Sequence, residues 1–246
     1  MTIRDIARRI PLLAPAARWL RARAHERIEA RRLAGRPKRD VFDEIYQRNR
    51  WGSPESKSGT GSDLRQTAVI SRALPGMFRR HGVRSILDIP CGDFHWMSRV
   101  DLEGIDYTGA DIVPALVAAN EQAYARGDRR FLVLDLAADP LPEVDLVFSR
   151  DCLVHLSYDD VHAALTNIRK SGAKWLLATT FPEHARNRDI ETGQWRPLNL
   201  QAPPFSLPPP VEMLNEECTE GDGAHRDKSL GLWSIAQLHA AHARAN

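Results

Sequence analysis

The stretch Ser85–Met97, SILDIPCGDFHWM, decides how the rest of the chain is read. Arg84–Ile89, RSILDI, reads as a short buried strand that runs into a turn at Pro90-Cys91-Gly92-Asp93. A short helix is expected over Phe94–Val100. Outward from there the pattern alternates. Tyr107–Asp111 reads as a second strand, Val113–Arg126 as a helix with Pro114 in its first turn, Arg130–Asp135 as a third strand and Val144–Ser149 as a fourth. Ser157-Tyr158-Asp159-Asp160 resembles a capping box with Asp in place of Glu, and Val161, Ala164, Leu165 and Ile168 share one helical face behind it. Lys174–Thr180 is a fifth strand; Val211–Leu214 and Ser229–Ile235 are two more. Strands with continuous apolar character, separated by helices, predict an α/β fold with a doubly wound, mostly parallel sheet covered on both faces.

Upstream, Asp63–Arg80 predicts a helix with Leu64, Ala68, Leu74 and Phe78 on its apolar side, ended by Gly82. Residues 41–62 change in composition from aromatic to small polar, and a Gly/Ser loop with Trp51 beside it is suited to close over a ligand; a plain linker has the same composition. The reading divides the chain into a basic helical arm at 1–40, an N-terminal cap segment at 41–82 and a main domain at 83–246 with a Pro-rich cap at about 183–230.

The formal charge of +2 conceals a split: residues 1–40 carry a balance of +8 and residues 41–246 a balance of −6. In the arm, Ile3, Ile6 and Ile10 lie at helical spacing, and Ala16–Ala34 reads as a second helix stopped by Gly35 and Pro37. Three uses fit it: a solvated or docking helix, a basic surface for a membrane or an acidic protein, or a transit peptide, against which Asp5, Glu26 and Glu29 speak. No apolar run approaches the roughly 18 residues of a membrane span, no secretory signal is legible, and Cys91, Cys152 and Cys218 suggest neither disulfides nor zinc. A cytoplasmic protein without a metal site is expected; oligomeric state is not legible.

In open parallel sheets ligands bind beyond the carboxyl ends of the strands. Here those ends carry Asp88 and Asp93, Asp111, Asp135, and Arg150-Asp151. Each aspartate alone could be a helix cap; four around one crevice would form a negative cup that suits a cationic, hydroxyl-rich ligand. A nicotinamide dinucleotide, the alternative, needs a glycine-rich turn under its pyrophosphate, whereas this turn has one glycine, Gly92, followed by Asp93. S-adenosylmethionine carries no phosphate and two positive groups. Asp88 is suited to its ammonium, Asp111 to its ribose hydroxyls and Asp135 to its adenine amino group, while Gly92 permits close backbone approach.

The same segments resemble a known family. SILDIPCGDFHWM is similar to motif I of class I S-adenosylmethionine-dependent methyltransferases, commonly D-x-G-x-G-x-G, with Pro90 and Phe94 replacing its first and third glycines. YTGADIV resembles motif II, FLVLDL the third motif, and DLVFSRDCLVHLS the fourth-strand segment with its aliphatic-His-Leu turn. Asn49–Ser56 with Ser58–Ser62 resembles the N-W-G-S-x-E-S-x-S-G-x-G-S segment of an uncharacterised bacterial group of such enzymes. The resemblance implies a seven-stranded sheet with its last strand reversed, S-adenosylmethionine as cofactor, and a cofactor-binding set of Trp51, Gly61, Ser62, Asp88, Pro90, Cys91, Gly92, Asp93, Asp111, Ile112, Asp135, Leu136 and Arg150.

The implied reaction is displacement of the sulfonium methyl by an oxygen or nitrogen nucleophile. His155, after the fourth strand, is the first candidate for the base. Asp151 is second, as base or as orienter, and His95 third. The Pro-rich cap contains His184, Asn187, Asp189, Trp195, Arg196, Glu216, Glu217 and Lys228, a composition that suits a polar small molecule or glycan as acceptor better than an apolar one. The acidic body speaks against nucleic acid. A fold retained for binding or scaffolding without turnover is the remaining alternative.

Overall fold

The computed structural model describes residues 13–245; the isoleucine spacing of residues 3–10 lies outside the described residues. The chain divides into two units between Arg36 and Pro37, so Lys38, which the sequence reading places in the arm, belongs to the larger unit. The first unit holds helix α1, Leu13–Leu33. Arg32 pairs with Glu29 at 3.2 Å along its surface, while Leu20 and Ile28 are exposed. Gly35, at φ +71°, follows its end in the left-handed conformation that terminates helices. Among the described residues no helix is long and apolar enough to cross a membrane.

The second unit is built on seven strands, β1 Ser85–Asp88, β2 Asp106–Asp111, β3 Arg129–Val133, β4 Leu146–Ser149, β5 Trp175–Thr180, β6 Glu212–Asn215 and β7 Ser229–Ser234. Their order is β3-β2-β1-β4-β5-β7-β6, with only β7 antiparallel to its neighbours. Alternate side chains feed two cores. Ile86, Tyr107, Leu146 and Phe148 point into one, with Ile70, Leu74, Met77 and Phe78 of helix α3 (Leu64–Arg80) and Leu116 and Val117 of helix α4 (Pro114–Tyr124). Leu87, Val147, Leu176 and Ala178 point into the other, with Val161, Ala164, Leu165 and Ile168 of helix α5 (Tyr158–Lys170). The period of two along a strand therefore serves both faces, which is why these strands read as continuously apolar. Helix α2, Lys38–Gln47, adds Val41 and Ile45 to the interior.

Two expectations change. Phe94–Val100 is not a helix: Phe94 has φ +56°, outside the helical range, and the segment makes turns with a single 3₁₀ turn at Met97–Arg99. A further helix, α6 at Ile235–Ala245, follows β7. Its sequence, IAQLHAAHARA, has high alanine propensity but a sparse apolar pattern, and among its described side chains Ile235 and Leu238 are buried. The strand order reverses between β1 and β4, which puts a crevice at their carboxyl ends.

Candidate functional site

The turn after β1 solves the missing-glycine problem with an aromatic side chain. The Ile89–Pro90 peptide is cis, and Gly92 and Phe94 both have positive φ. Phenylalanine is costly in that conformation, but its buried ring packs against Tyr107, Tyr124 and Phe131 with centroids 5.0, 5.1 and 5.4 Å away. Asn120 Nδ2 of α4 donates to the Gly92 carbonyl at 2.7 Å. A Cβ on Gly92 would lie 2.1 Å from Ser58 Oγ, so only glycine fits under that serine.

This turn opens onto a pocket that Asp88, Pro90, Cys91, Gly92, Asp111 and Ile112 line together. Asp88 accepts a hydrogen bond from the Tyr107 hydroxyl. Burial pushes its pKa up to about 7, against the lowering effect of that bond. Asp111 accepts from the backbone N–H groups of Val113 (3.0 Å, on Oδ1) and Gly92 (3.3 Å, on Oδ2). Burial raises it as well, to about 6. Neither carboxylate has an ion-pair partner among the described residues. A buried carboxylate without a cation is held at a cost, and a ligand that brings positive charge and hydroxyl donors fits these two residues.

The cup of four aspartates is not formed as expected. Asp93 turns away from the pocket and accepts from Lys57 N at 2.7 Å, Ser56 Oγ at 3.0 Å and Ser58 Oγ at 3.2 Å. It shapes the serine-rich loop instead of facing the ligand. Asp135 and Leu136 do line the pocket, but Asp135 accepts from Lys38 Nζ at 3.1 Å and from Ala137 N at 2.9 Å, so much of its capacity for an adenine amino group is taken. Lys38 also reaches Asp160 at 2.9 Å.

The Gly/Ser loop is a built wall of the pocket. Trp51, Lys57, Ser58 and Ser62 line it, whereas Gly61 stands just behind. The Gly61 carbonyl accepts from Arg150 Nη2 at 2.8 Å. Gly59 has φ +94°, and a Cβ there would meet Trp51 Cβ at 2.9 Å. Trp51 in turn lies over His155 with ring centroids 5.0 Å apart. His95 is absent from the pocket lining; its Nε2 meets Glu55 Oε1 at 2.9 Å, and Glu55 also accepts from Leu64 N at the start of α3.

Beyond β4 lies a compact charge cluster. Arg150 donates to Glu216 (Nη2 to Oε2, 2.7 Å), and Lys228 Nζ donates to Asp151 Oδ2 at 2.6 Å. Arg150 Nη1 stands 3.3 Å from the same Asp151 oxygen, and Lys228 is 3.6 Å from Glu216. Two cations and two anions thus balance in the interior. Although burial raises the Asp151 pKa, Lys228 and Arg150 outweigh it and hold the carboxylate down at about 2. Held ionised by two cations, Asp151 suits the role of orienter better than that of base.

His155 differs. Its Nδ1 lies 3.0 Å from the Gln194 carbonyl, which can only accept, so Nδ1 carries the proton. Nε2 then holds a lone pair, and the ring lines the pocket. Burial lowers its pKa, favouring that neutral form at pH 7. Gly193 N donates to the His155 carbonyl and Arg196 N to Val154, which fixes the strap 193–196 along this turn.

Sequence reasoning missed Lys38, Phe42, Tyr46 and Trp96, which also line the pocket, and the pairing of Lys228 with Asp151. The aromatic density of 42–51 was the available signal for the first group. Lys228 had none, because its partner is 77 residues away.

A family model described as a methyltransferase domain matches residues 87–173. No curated protein matches the sequence. Among solved structures, Burkholderia thailandensis 1,6-didemethyltoxoflavin-N1-methyltransferase, with 1,6-didemethyltoxoflavin and S-adenosylhomocysteine bound, is 16% identical, covers 80% of this chain and 86% of its own, and has a TM-score of 0.56. A putative methyltransferase from Haloferax volcanii, in complex with the Trm112 methyltransferase activator, is 16% identical over 79% of this chain and 97% of that one, with a TM-score of 0.54. Human N-acetylserotonin methyltransferase in complex with SAM is 20% identical over 60% of this chain, with a TM-score of 0.45, and this chain spans 43% of that structure. At these identities the likeness is one of fold.

Proposed function

We propose that this chain is a class I methyltransferase that uses S-adenosylmethionine and transfers the methyl group to an oxygen or nitrogen of a polar small molecule or sugar. The observation that carries the reading is His155: a ring oriented through Nδ1–H to Gln194, with the Nε2 lone pair available in the same pocket as Asp88 and Asp111. Asp88 is suited to the ligand's ammonium and Asp111 to its ribose hydroxyls, with Gly92 allowing close approach. Ile112, Leu136, Pro90 and Cys91 supply the walls, and Trp51 and Ser62 the side toward His155.

When bound, S-adenosylmethionine supplies the methyl: the acceptor's lone pair forms the new bond to carbon while the carbon–sulfur pair stays with sulfur, leaving S-adenosylhomocysteine. His155 Nε2 takes the acceptor's proton and releases it to solvent afterwards. Trp51 holds the imidazole from its face and limits water in the pocket. Positioning supplies most of the rate, at best about 7–11 kcal/mol.

The nicotinamide alternative finds no support in the site. Asp93 has turned aside, but Asp88 and Asp111 remain as buried carboxylates beside the turn where a pyrophosphate would sit, and like charges there repel. A scaffold without turnover would have no use for a base held in one tautomer. Calorimetry with S-adenosylmethionine and S-adenosylhomocysteine tests cofactor use, and no binding of either at millimolar concentration sinks it. Mass spectrometry of metabolites and glycans after incubation with isotope-labelled S-adenosylmethionine then identifies the acceptor. His155→Ala should lower its methylation about 100-fold or more with cofactor affinity intact; unchanged turnover removes the histidine from the mechanism.

A further inference from the structure

The acceptor side of the pocket offers hydrogen-bond acceptors in excess. Asp151 lines it with its side chain about a quarter exposed. Its backbone is pinned at φ +52° by a hydrogen bond from its N–H to Thr179 Oγ1 at 2.8 Å. Both cations of the cluster address one oxygen: Lys228 lies 2.6 Å and Arg150 3.3 Å from Oδ2. No described residue hydrogen-bonds Oδ1. Four residues on, across one 3₁₀ turn, His155 commits its only N–H to Gln194 and keeps Nε2 as an acceptor. Neither group can donate while Asp151 is ionised and His155 neutral.

We infer that the methyl acceptor presents two neighbouring hydrogen-bond donors, one to Asp151 Oδ1 and one to His155 Nε2, as a vicinal diol or an amino alcohol does. This rests on the methyltransferase reading and narrows its acceptor class. The group facing His155 loses its proton and receives the methyl; the group facing Asp151 keeps its proton and orients the first. An acceptor that offers a carboxylate or phosphate at this position meets an ionised Asp151 and an unprotonated nitrogen, and is rejected. A lone alcohol leaves Oδ1 without a partner. A site built to hydrogen-bond a donor discriminates strongly against an analogue that lacks it.

Three probes separate these cases on the full chain loaded with S-adenosylhomocysteine: cis-cyclohexane-1,2-diol, cyclohexanol and cyclohexanecarboxylate, titrated into the upper millimolar range by ligand-observed NMR. The diol should bind at least about tenfold more tightly than the mono-alcohol, and the carboxylate should not bind. A second test replaces Asp151→Ala together with Lys228→Met, which removes the acceptor and one charge of each sign. The diol should then fall to the mono-alcohol's affinity, with S-adenosylhomocysteine affinity unchanged. Equal affinity for diol and mono-alcohol, preference for the carboxylate, or no binding of the diol overturns the acceptor class. Loss of S-adenosylhomocysteine affinity in the double variant with the probe ranking intact assigns Oδ1 to the cofactor and also overturns it. Failure of the unmodified protein to bind S-adenosylhomocysteine overturns the methyltransferase reading itself, a result distinct from all of these.

Discussion

The two sides of the crevice bury charge in opposite ways. Beyond β1 and β2, Asp88 and Asp111 are buried carboxylates with no ion-pair partner among the described residues, and burial raises them to about 7 and about 6. Beyond β4 and β7, Asp151 is held down at about 2 by Lys228 and Arg150, which also enclose Glu216. The same physical penalty is thus met on one side by the fold itself and left on the other for a ligand to meet. On the proposed reading, the first side receives the positive charge of a ligand, while the ion pairs of the second hold Asp151 in place four residues before His155.

Breaking the second side should cost most. Glu216→Gln leaves Arg150 and Lys228 sharing one carboxylate, and stability should drop by about 3–5 kcal/mol, measured by urea unfolding. Asp88→Asn, equally buried, should change the stability of the ligand-free protein little or raise it, since it replaces a carboxyl whose charged form burial disfavours. Equal losses in both variants would erase the distinction.

Ligand binding should respond in the reverse order. On the proposed reading, Asp111→Asn removes a charged acceptor for ribose hydroxyls, and hydrogen bonds to charged groups contribute about 1.5–3 kcal/mol. S-adenosylhomocysteine affinity should therefore fall about 10- to 100-fold by calorimetry, with the urea midpoint close to that of the unmodified protein.

Proton linkage sharpens the same contrast. The folded-state pKa values of Asp88 and Asp111 lie above those of an unfolded aspartate, so the folded protein binds more protons between roughly pH 4 and 7. Their contribution to ligand-free stability is present at low pH and is lost as pH rises through about 6 to about 7. On the proposed reading, the ligand's ammonium and ribose hydroxyls select the ionised forms, so S-adenosylhomocysteine affinity should rise over that same interval. Asp151 has the opposite sign: its stabilisation is present above the unfolded value near 4 and is lost only as pH falls toward about 2. Calorimetry across pH 5–8 checks the first and thermal unfolding across pH 2–5 the second; affinity that is flat with pH would show that Asp88 and Asp111 do not meet the ligand.

Much of this was legible in the chain because it is local. The strands bury residues on both faces, so they read as apolar runs, and the aspartates at their ends fall where an open sheet binds ligands. The turn Pro90–Asp93 was visible as a departure from the glycine pattern, but its solution was not: Phe94 is accommodated by Tyr107, Tyr124 and Phe131, which come from other elements. Orientation was the other loss. Asp93 and Asp111 look alike in sequence, yet one faces a loop of serines and the other a pocket, because the partners of Asp93 lie about 35 residues upstream. Likewise Asp151 reads as base or orienter alike until Lys228, just before β7, is seen to pair with it.

The smallest expected effect concerns where the receptor side begins. The pocket residues all come from Lys38 onward, and Lys38 bridges Asp135 and Asp160 beside it. Burial alone would lower its pKa; the bonds to Asp160 and Asp135 outweigh that and raise it. Removing residues through Arg36 should leave S-adenosylhomocysteine affinity within about twofold, whatever partner the basic arm serves. Lys38→Ala in the full chain should cost up to about 1 kcal/mol, a threefold to fivefold loss, because partly exposed pairs contribute no more than that. A truncation at Arg36 that abolished binding in a protein with unchanged circular dichroism would place part of the ligand site in the arm, and the contrast between the two sides would then need a third surface.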